Sequence, residues 1–186
     1  MATPEELAAA ADEVRADLAL DDVLAALGAP HLVGSAALGL MVWPDLDMTV
    51  VCDTLDVAAL HAAAADLVRH PRVRQLTFRN DTGPWNAQPD RYPDGVYWGI
   101  DYRDGRRTWN IDVWFVVDAD RQPDLRHVRE LPARLTPATR DAILAIKRAW
   151  VGRPEYGRAV TSYDIYAGVL ERGIRTPEEF ARSRRA

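Results

Sequence analysis

"GSAALGLMVWPDLDMTV", residues 34–50, decides how this chain is read. Its second part, with Val51, has the β-branched content of a buried strand, yet carries Asp45 and Asp47 one position apart. Aspartate is depleted in strands, and a buried carboxylate is costly unless something pairs with it. Strand side chains alternate between faces. Both aspartates therefore point one way, roughly 7 Å apart along the strand, while Leu46 and Met48 point into the core. The first part opens with Gly34-Ser35, at the end of a short apolar strand, "HLVG". "SAALGLMV" reads as a helix beginning at Ser35.

Working outward, three helix starts share one grammar. Thr3, Thr136 and Thr176 are each followed by proline, as a threonine N-cap with proline at the first helical position. Glu6 and Glu179 complete two capping boxes. The first helix is expected from about Pro4 to Leu27, broken near Leu20–Asp22 and stopped by Gly28. "DVAALHAAAADLVRHP" is an alanine-rich helix ended by Pro71, and "VRQLTFR" is a strand. "VYWGIDYR" and "RTWNIDVWFVV" flank "DGR", a hairpin signal. From Thr136 onward only helices are expected, at about 137–151, 162–172 and 177–184. The charged, proline-bearing stretch near 118–137 reads as a connection between the two parts. The expected fold is α+β: a mixed sheet flanked by helices in residues 1–130, and a C-terminal helical cap in residues 131–186.

Composition bounds the function. The chain has 186 residues, 48% hydrophobic and 27% charged, so it can bury a core and global disorder is not expected. The net charge of −5 argues against bulk binding to nucleic acid. A lone cysteine, Cys52, permits no internal disulfide and suits a reducing cytoplasm. The acidic amphipathic N-terminus lacks the basic start and apolar block of a signal peptide, and no stretch of 18 apolar residues occurs.

A third aspartate repeats the opening theme. Asp112 stands inside the apolar strand "WNIDVWFVV". If that strand lies beside "DLDMTVV", at the usual spacing of about 4.8 Å, three carboxylates converge. They would repel one another unless cations neutralise them, and hard oxygen ligands select Mg²⁺ or Mn²⁺. Two such ions make the clamp used for in-line nucleotidyl transfer. Gly34 lets the backbone approach a ligand, and Ser35 stands where a helix start favours an anion. Together these are parts for a nucleoside triphosphate with its metals.

At these residues the chain resembles the nucleotidyltransferase superfamily of the DNA polymerase β type. The shared features are Gly34-Ser35, nine residues, Asp45-Leu46-Asp47, and the later strand aspartate Asp112. Small bacterial members share a Gly-Ser-x-Ala-Arg-Gly opening. Here Ala37 and Gly39 match, Leu38 replaces the arginine, and Pro44 stands where a serine commonly precedes the first aspartate. The resemblance implies that Asp45 and Asp47 bind both metals, and that Asp112 binds the catalytic metal and takes the acceptor's proton. Gly34 and Ser35 would hold the β- and γ-phosphates. It implies a Mg²⁺-dependent enzyme (two ions, Mn²⁺ possible) moving a nucleoside monophosphate from an NTP, by default ATP, to a hydroxyl, with release of pyrophosphate. The acceptor is expected to be a small molecule, with a cationic antibiotic suiting an acidic cleft. The alternatives are a catalytically silent nucleotide- or partner-binding module, and a toxin–antitoxin component nucleotidylating a protein or tRNA.

Other residues are weighed beside these. Lys147, the only lysine, sits at the edge of an apolar stripe. It either reaches the triphosphate or lies along apolar surface with its ammonium in water. Tyr163 either touches a base or acceptor or serves only the helix start. Asp101 either lines the acceptor side or faces solvent. Trp85, Trp98, Trp109 and Trp114 either stack on a base or fill the core. The four histidines show no ligand spacing. The Gly/Pro-rich segment 80–95 has the length of a lid or binding loop.

Overall fold

A computed structural model describes residues 2–89 and 92–184. Asp90 and Arg91, within the anticipated 80–95 loop, lie outside the described residues, as do Met1 and the last two. The N-terminal helices are α1 (Pro4–Asp17) and α2 (Leu20–Ala25). The break falls at Leu18–Ala19, where Ala19 takes a φ of 45°. Strand β1 (Ala29–Val33) leads into α3 (Gly34–Ala37), and β2 (Asp45–Val51) follows. Helix α4 (Val57–Leu67), strands β3 (Val73–Asp81), β4 (Gly95–Arg103) and β5 (Thr108–Val116), and helices α5 (Pro123–Glu130), α6 (Pro137–Trp150), α7 (Ser162–Leu170) and α8 (Pro177–Ser183) complete the order.

Two expectations need correction. The helix anticipated through "SAALGLMV" is a single turn, because Gly39 adopts a φ of +63° and ends it. The connection near 118–137 contains α5, which begins on Pro123 without a side-chain cap. The capping boxes at Thr3/Glu6 and Thr176/Glu179 are formed. Thr136/Thr139 and Thr161/Asp164 make two more.

The sheet runs β1-β2-β5-β4-β3 and is mixed: β2 and β5 are parallel, the other neighbours antiparallel. Its register is fixed by alternation. Leu46, Met48 and Val50 of β2 and Ile111, Val113 and Phe115 of β5 are buried, and cluster with Leu7, Val14, Leu24 and Leu60 of α1, α2 and α4. Each such side chain contributes about 1.5–3 kcal/mol on burial, and a slip of one residue would turn the whole set outward. That strong specification delivers the aspartates to the opposite face. A second apolar cluster joins α6, α7 and α8. Leu38 and Leu40, just after the Gly34 turn, are buried in it, so the turn is anchored to the C-terminal helices. The leucine at position 38 is thus a packing residue.

Candidate functional site

The adjacency of β2 and β5 pairs Asp47 directly with Asp112 and Asp45 with Asn110. Asp45, Asp47 and Asp112 each present one carboxylate oxygen, all within 4.8 Å of one another. Asn110 bridges two of them, its Nδ2 donating to Asp45 Oδ1 at 3.1 Å and to Asp112 Oδ2 at 3.0 Å. The Tyr97 hydroxyl donates to Asp112 Oδ1 at 2.5 Å. Three converging hard oxygen donors suit a divalent cation such as Mg²⁺ or Mn²⁺.

Burial pushes the Asp45 carboxyl up to about 6; the Asn110 hydrogen bond pulls it back, and the charge of Asp112 raises it further. Burial, then the charges of Asp45 and Asp112, hold Asp47 well above the carboxylate range. Burial also raises Asp112, against the hydrogen bonds from Tyr97 and Asn110. Burial first and Asp112 second push the Tyr97 phenol up, so it remains a donor. In the metal-free protein Asp45 thus keeps its proton to about pH 6 when folded, but releases it near 3.8 when unfolded. Between those values the folded state binds more protons, so stability falls as pH rises. The contribution is present below about pH 4 and lost by about pH 6, and amounts to roughly 3 kcal/mol or less. Urea melts with EDTA should show the stability gap between Asp45→Asn and wild type widening over that window. A pH-independent gap would contradict the assignment.

Gly34 has a φ of +62°, and a methyl added there would lie 2.1 Å from Asp47 Oδ2. The backbone turn and the carboxylate are therefore in direct contact. Ser35 is buried, and so is Lys147, at 0% exposure. Lys147 Nζ donates to Ser35 Oγ at 2.5 Å, to the Leu40 carbonyl at 2.8 Å and to Tyr166 Oη at 3.4 Å. The alternative that its ammonium lies in water does not hold. Burial lowers it to about 8, while the charges of Asp45 and Asp47 oppose the drop. An ammonium only donates, so Ser35 Oγ accepts from it and keeps its own hydrogen to donate.

Tyr163 is 45% exposed and stacks flat on His127, with centroids 4.3 Å apart. His127 lies 3.9 Å from Asp124, a residue whose charge is also felt at Asp47. These three line a cavity of about 1100 Å³ with Trp85, Tyr92, Arg121 and Arg126. Thr82–Trp85 and Tyr92–Asp94, from the Gly/Pro-rich segment, form part of this wall, whose lining does not include the three aspartates. Asn86 holds the segment's two ends together, donating to the carbonyls of Tyr92 and Pro93, both at 3.1 Å. Among the described residues, four of the six exposed large apolar side chains, Val57, Trp85, Val117 and Tyr163, line this cavity. Trp98 and Trp109 are core. Trp114 is half-buried and stacks with Tyr92. Asp101 pairs with Asn110, which puts it on the face of the three aspartates, half-buried rather than open to solvent.

The chain matches no protein-family model and no curated protein. Solved structures do match. The Cid1 poly(U) polymerase with Mg and 3′-dATP bound superposes with a TM-score of 0.60 at 16% identity, over 86% of this chain and 48% of that one. A cytoplasmic RNA terminal U-transferase gives 0.58 at 17%, over 89% and 48%. The non-canonical poly(A) polymerase of the GLD-2–GLD-3 complex gives 0.56 at 16%, over 89% and 52%. The fold is that of the nucleotidyltransferases. The chain spans about half the length of these nucleotidyltransferases. The likeness agrees with the mixed sheet flanked by helices that the order of helices and strands led us to expect. Among the described residues, no helix is long and apolar enough to cross a membrane. Sequence reasoning missed Tyr97, Asn110 and His127. Asn110 was discoverable, since it precedes Asp112 by two and so shares its face of the strand.

Proposed function

We propose that this chain is a divalent-metal-dependent nucleotidyltransferase that moves a nucleoside monophosphate from an NTP to a hydroxyl acceptor. The observation that carries this reading is the convergence of Asp45, Asp47 and Asp112 within 4.8 Å, beside the Gly34 turn that touches Asp47. Asp45, Asp47 and Asp112 would hold the metal, which when bound offsets the charge developing on the transferring phosphate and polarises its oxygens. Gly34 allows the triphosphate close to the backbone. The Ser35 hydroxyl, fixed as a donor by Lys147, hydrogen-bonds a phosphate oxygen. Lys147 adds its charge through Ser35 from a buried position. Tyr163, its ring held by His127, offers a flat face to the base. The acceptor oxygen attacks the α-phosphorus as the bond to the bridging oxygen breaks. Pyrophosphate leaves, and the acceptor's proton passes to the Asp112 carboxylate.

The cavity bears on the acceptor. Its wall carries Asp94, Asp118 and Asp124 but also Arg121 and Arg126, so it does not select for a cation. Its volume of about 1100 Å³ accommodates more than a single drug-sized ligand. We retain a small-molecule hydroxyl as the proposed acceptor. An RNA 3′ end is the competing reading, since the structural neighbours are a poly(U) polymerase, a terminal U-transferase and a poly(A) polymerase. The deciding experiment incubates the protein with MgCl₂ and each α-³²P-labelled NTP. It presents hydroxylated small molecules, short RNAs and proteins in parallel, and follows label transfer and pyrophosphate. No transfer to any class, and no Mg²⁺-dependent nucleotide binding, would overturn the proposal. Excising residues 82–93 and rejoining the ends should cut transfer about tenfold or more through lost acceptor binding, with NTP affinity kept. Unchanged turnover would free this segment of a role.

A further inference from the structure

We propose that Tyr97 is a positioning residue that sets the Asp112 carboxylate for metal, and that Gly99 provides the space in which its ring is seated. The inference rests on the function proposed above and extends it to two residues outside the metal-binding set. Gly99 pairs with Asp112 across β4 and β5, and Tyr97 pairs with Trp114 one step further along the same face. The Tyr97 ring therefore has to lean back over position 99 to bring its hydroxyl onto Asp112 Oδ1, 2.5 Å away. It can lean only because position 99 has no side chain: a methyl there would meet Tyr97 Oη at 2.5 Å and Cζ at 3.0 Å.

The ring is fixed from behind. The Arg79 guanidinium lies 4.8 Å from the centre of Tyr97, 4.5 Å from that of Tyr92 and 5.4 Å from that of Trp114. Arg79 is in turn held by Asp81, at 2.7 Å. On the other side Asn110 takes Asp112 Oδ2. With one donor on each oxygen, the plane of the Asp112 carboxylate is fixed before any cation arrives. Partners of this kind orient a ligand and typically contribute 10- to 100-fold to metal affinity or activity. A tyrosine that only filled space would leave both untouched when its hydroxyl is removed.

Two chemically unrelated substitutions should therefore give one phenotype. Tyr97→Phe removes the hydroxyl. Gly99→Ala keeps every polar group but evicts the hydroxyl from its seat. Each is expected to weaken Mn²⁺ binding, measured by electron paramagnetic resonance without nucleotide, by about tenfold. Each should lower kcat by a similar factor with KM for NTP little changed. The double variant should be no worse than either single one, because both act on one hydrogen bond. Mn²⁺ affinity within twofold of wild type in Tyr97→Phe overturns the clamp, as do effects that multiply in the double variant. Should Gly99→Ala fail to fold, Tyr97→Phe alone decides by its Mn²⁺ affinity. Wild-type protein that binds no Mn²⁺ without nucleotide overturns this inference, while the label-transfer assay decides the proposed function separately. Wild-type binding that is indifferent to Tyr97→Phe overturns this one alone.

Discussion

Asp47→Asn is expected to abolish nucleotidyl transfer while raising the melting temperature of the metal-free protein. The two effects share a cause. Asp47 sits in the row that places it against Asp112 and in contact with the Gly34 turn, so its carboxylate faces both halves of the site. Burial and two carboxylate neighbours hold its pKa well above the ordinary range. The ionised form is therefore costly in the folded protein until a cation neutralises it. An asparagine keeps the shape and removes the charge, which relieves Asp45 and Asp112 and stabilises the metal-free protein. The same change deprives a divalent ion of an anionic ligand. Several kcal/mol of transition-state stabilisation come from such an ion, and about 4 kcal/mol corresponds to three decades in rate. The expected result is a loss of about 10³-fold or more in kcat, weaker Mn²⁺ binding, and a higher Tm in EDTA at pH 7.5. Adding MgCl₂ should raise the Tm of wild type and leave the variant almost unmoved. Turnover within tenfold of wild type would remove Asp47 from the metal site. A lower Tm in EDTA would mean that the carboxylate is a structural partner rather than a strained ligand.

What was legible in the chain follows from how local each signal is. Alternation in β2 fixes the face of Asp45 and Asp47 within a few residues, and Leu46 and Met48 on the buried side confirm it. The threonine caps are local too, and all three formed. Helix α5 was not legible because its start lacks a side-chain cap and half of its residues are charged. The Tyr97–Asp112 bond depends on the hairpin register, where Arg103 pairs with Thr108 across four intervening residues. The "DGR" signal marks a turn but does not say where pairing resumes, and a slip of one residue would send Tyr97 to the other face. Lys147 was misplaced for a different reason. It was read at the rim of an apolar stripe, whereas Ile143, Ile146 and Trp150 around it are all buried and it lies within their stripe. What lets a lysine sit there is a set of distant acceptors, Ser35, Leu40 and Tyr166, over a hundred positions away for the first two.

Gly34→Ala is expected to be nearly as damaging to transfer as loss of Asp47, with the opposite effect on stability. Two costs act together. At a φ of +62° an alanine pays for left-handed backbone, about 1–2 kcal/mol. Its methyl would also stand 2.1 Å from Asp47 Oδ2 and 2.8 Å from the carboxyl carbon, so either the turn or the carboxylate has to move. Movement of the turn displaces Ser35 from Lys147, and movement of Asp47 dismantles the cluster. Either way the phosphate and metal positions no longer meet, and a loss of about 10²–10³-fold in kcat is expected. The Tm should fall by several degrees, at roughly 2–4 °C per kcal/mol for a chain of this size. The clash with Asp47 can be isolated. In an Asp47→Ala background the offending oxygen is gone, leaving only a close Cβ at 3.0 Å. Gly34→Ala should therefore destabilise that background by the backbone strain alone, less than it destabilises wild type. Equal destabilisation in the two backgrounds would show that the turn does not lean on Asp47. The glycine would then serve the chain reversal only, and the contact joining the proposed phosphate-binding turn to the proposed metal-binding strand would carry no energy.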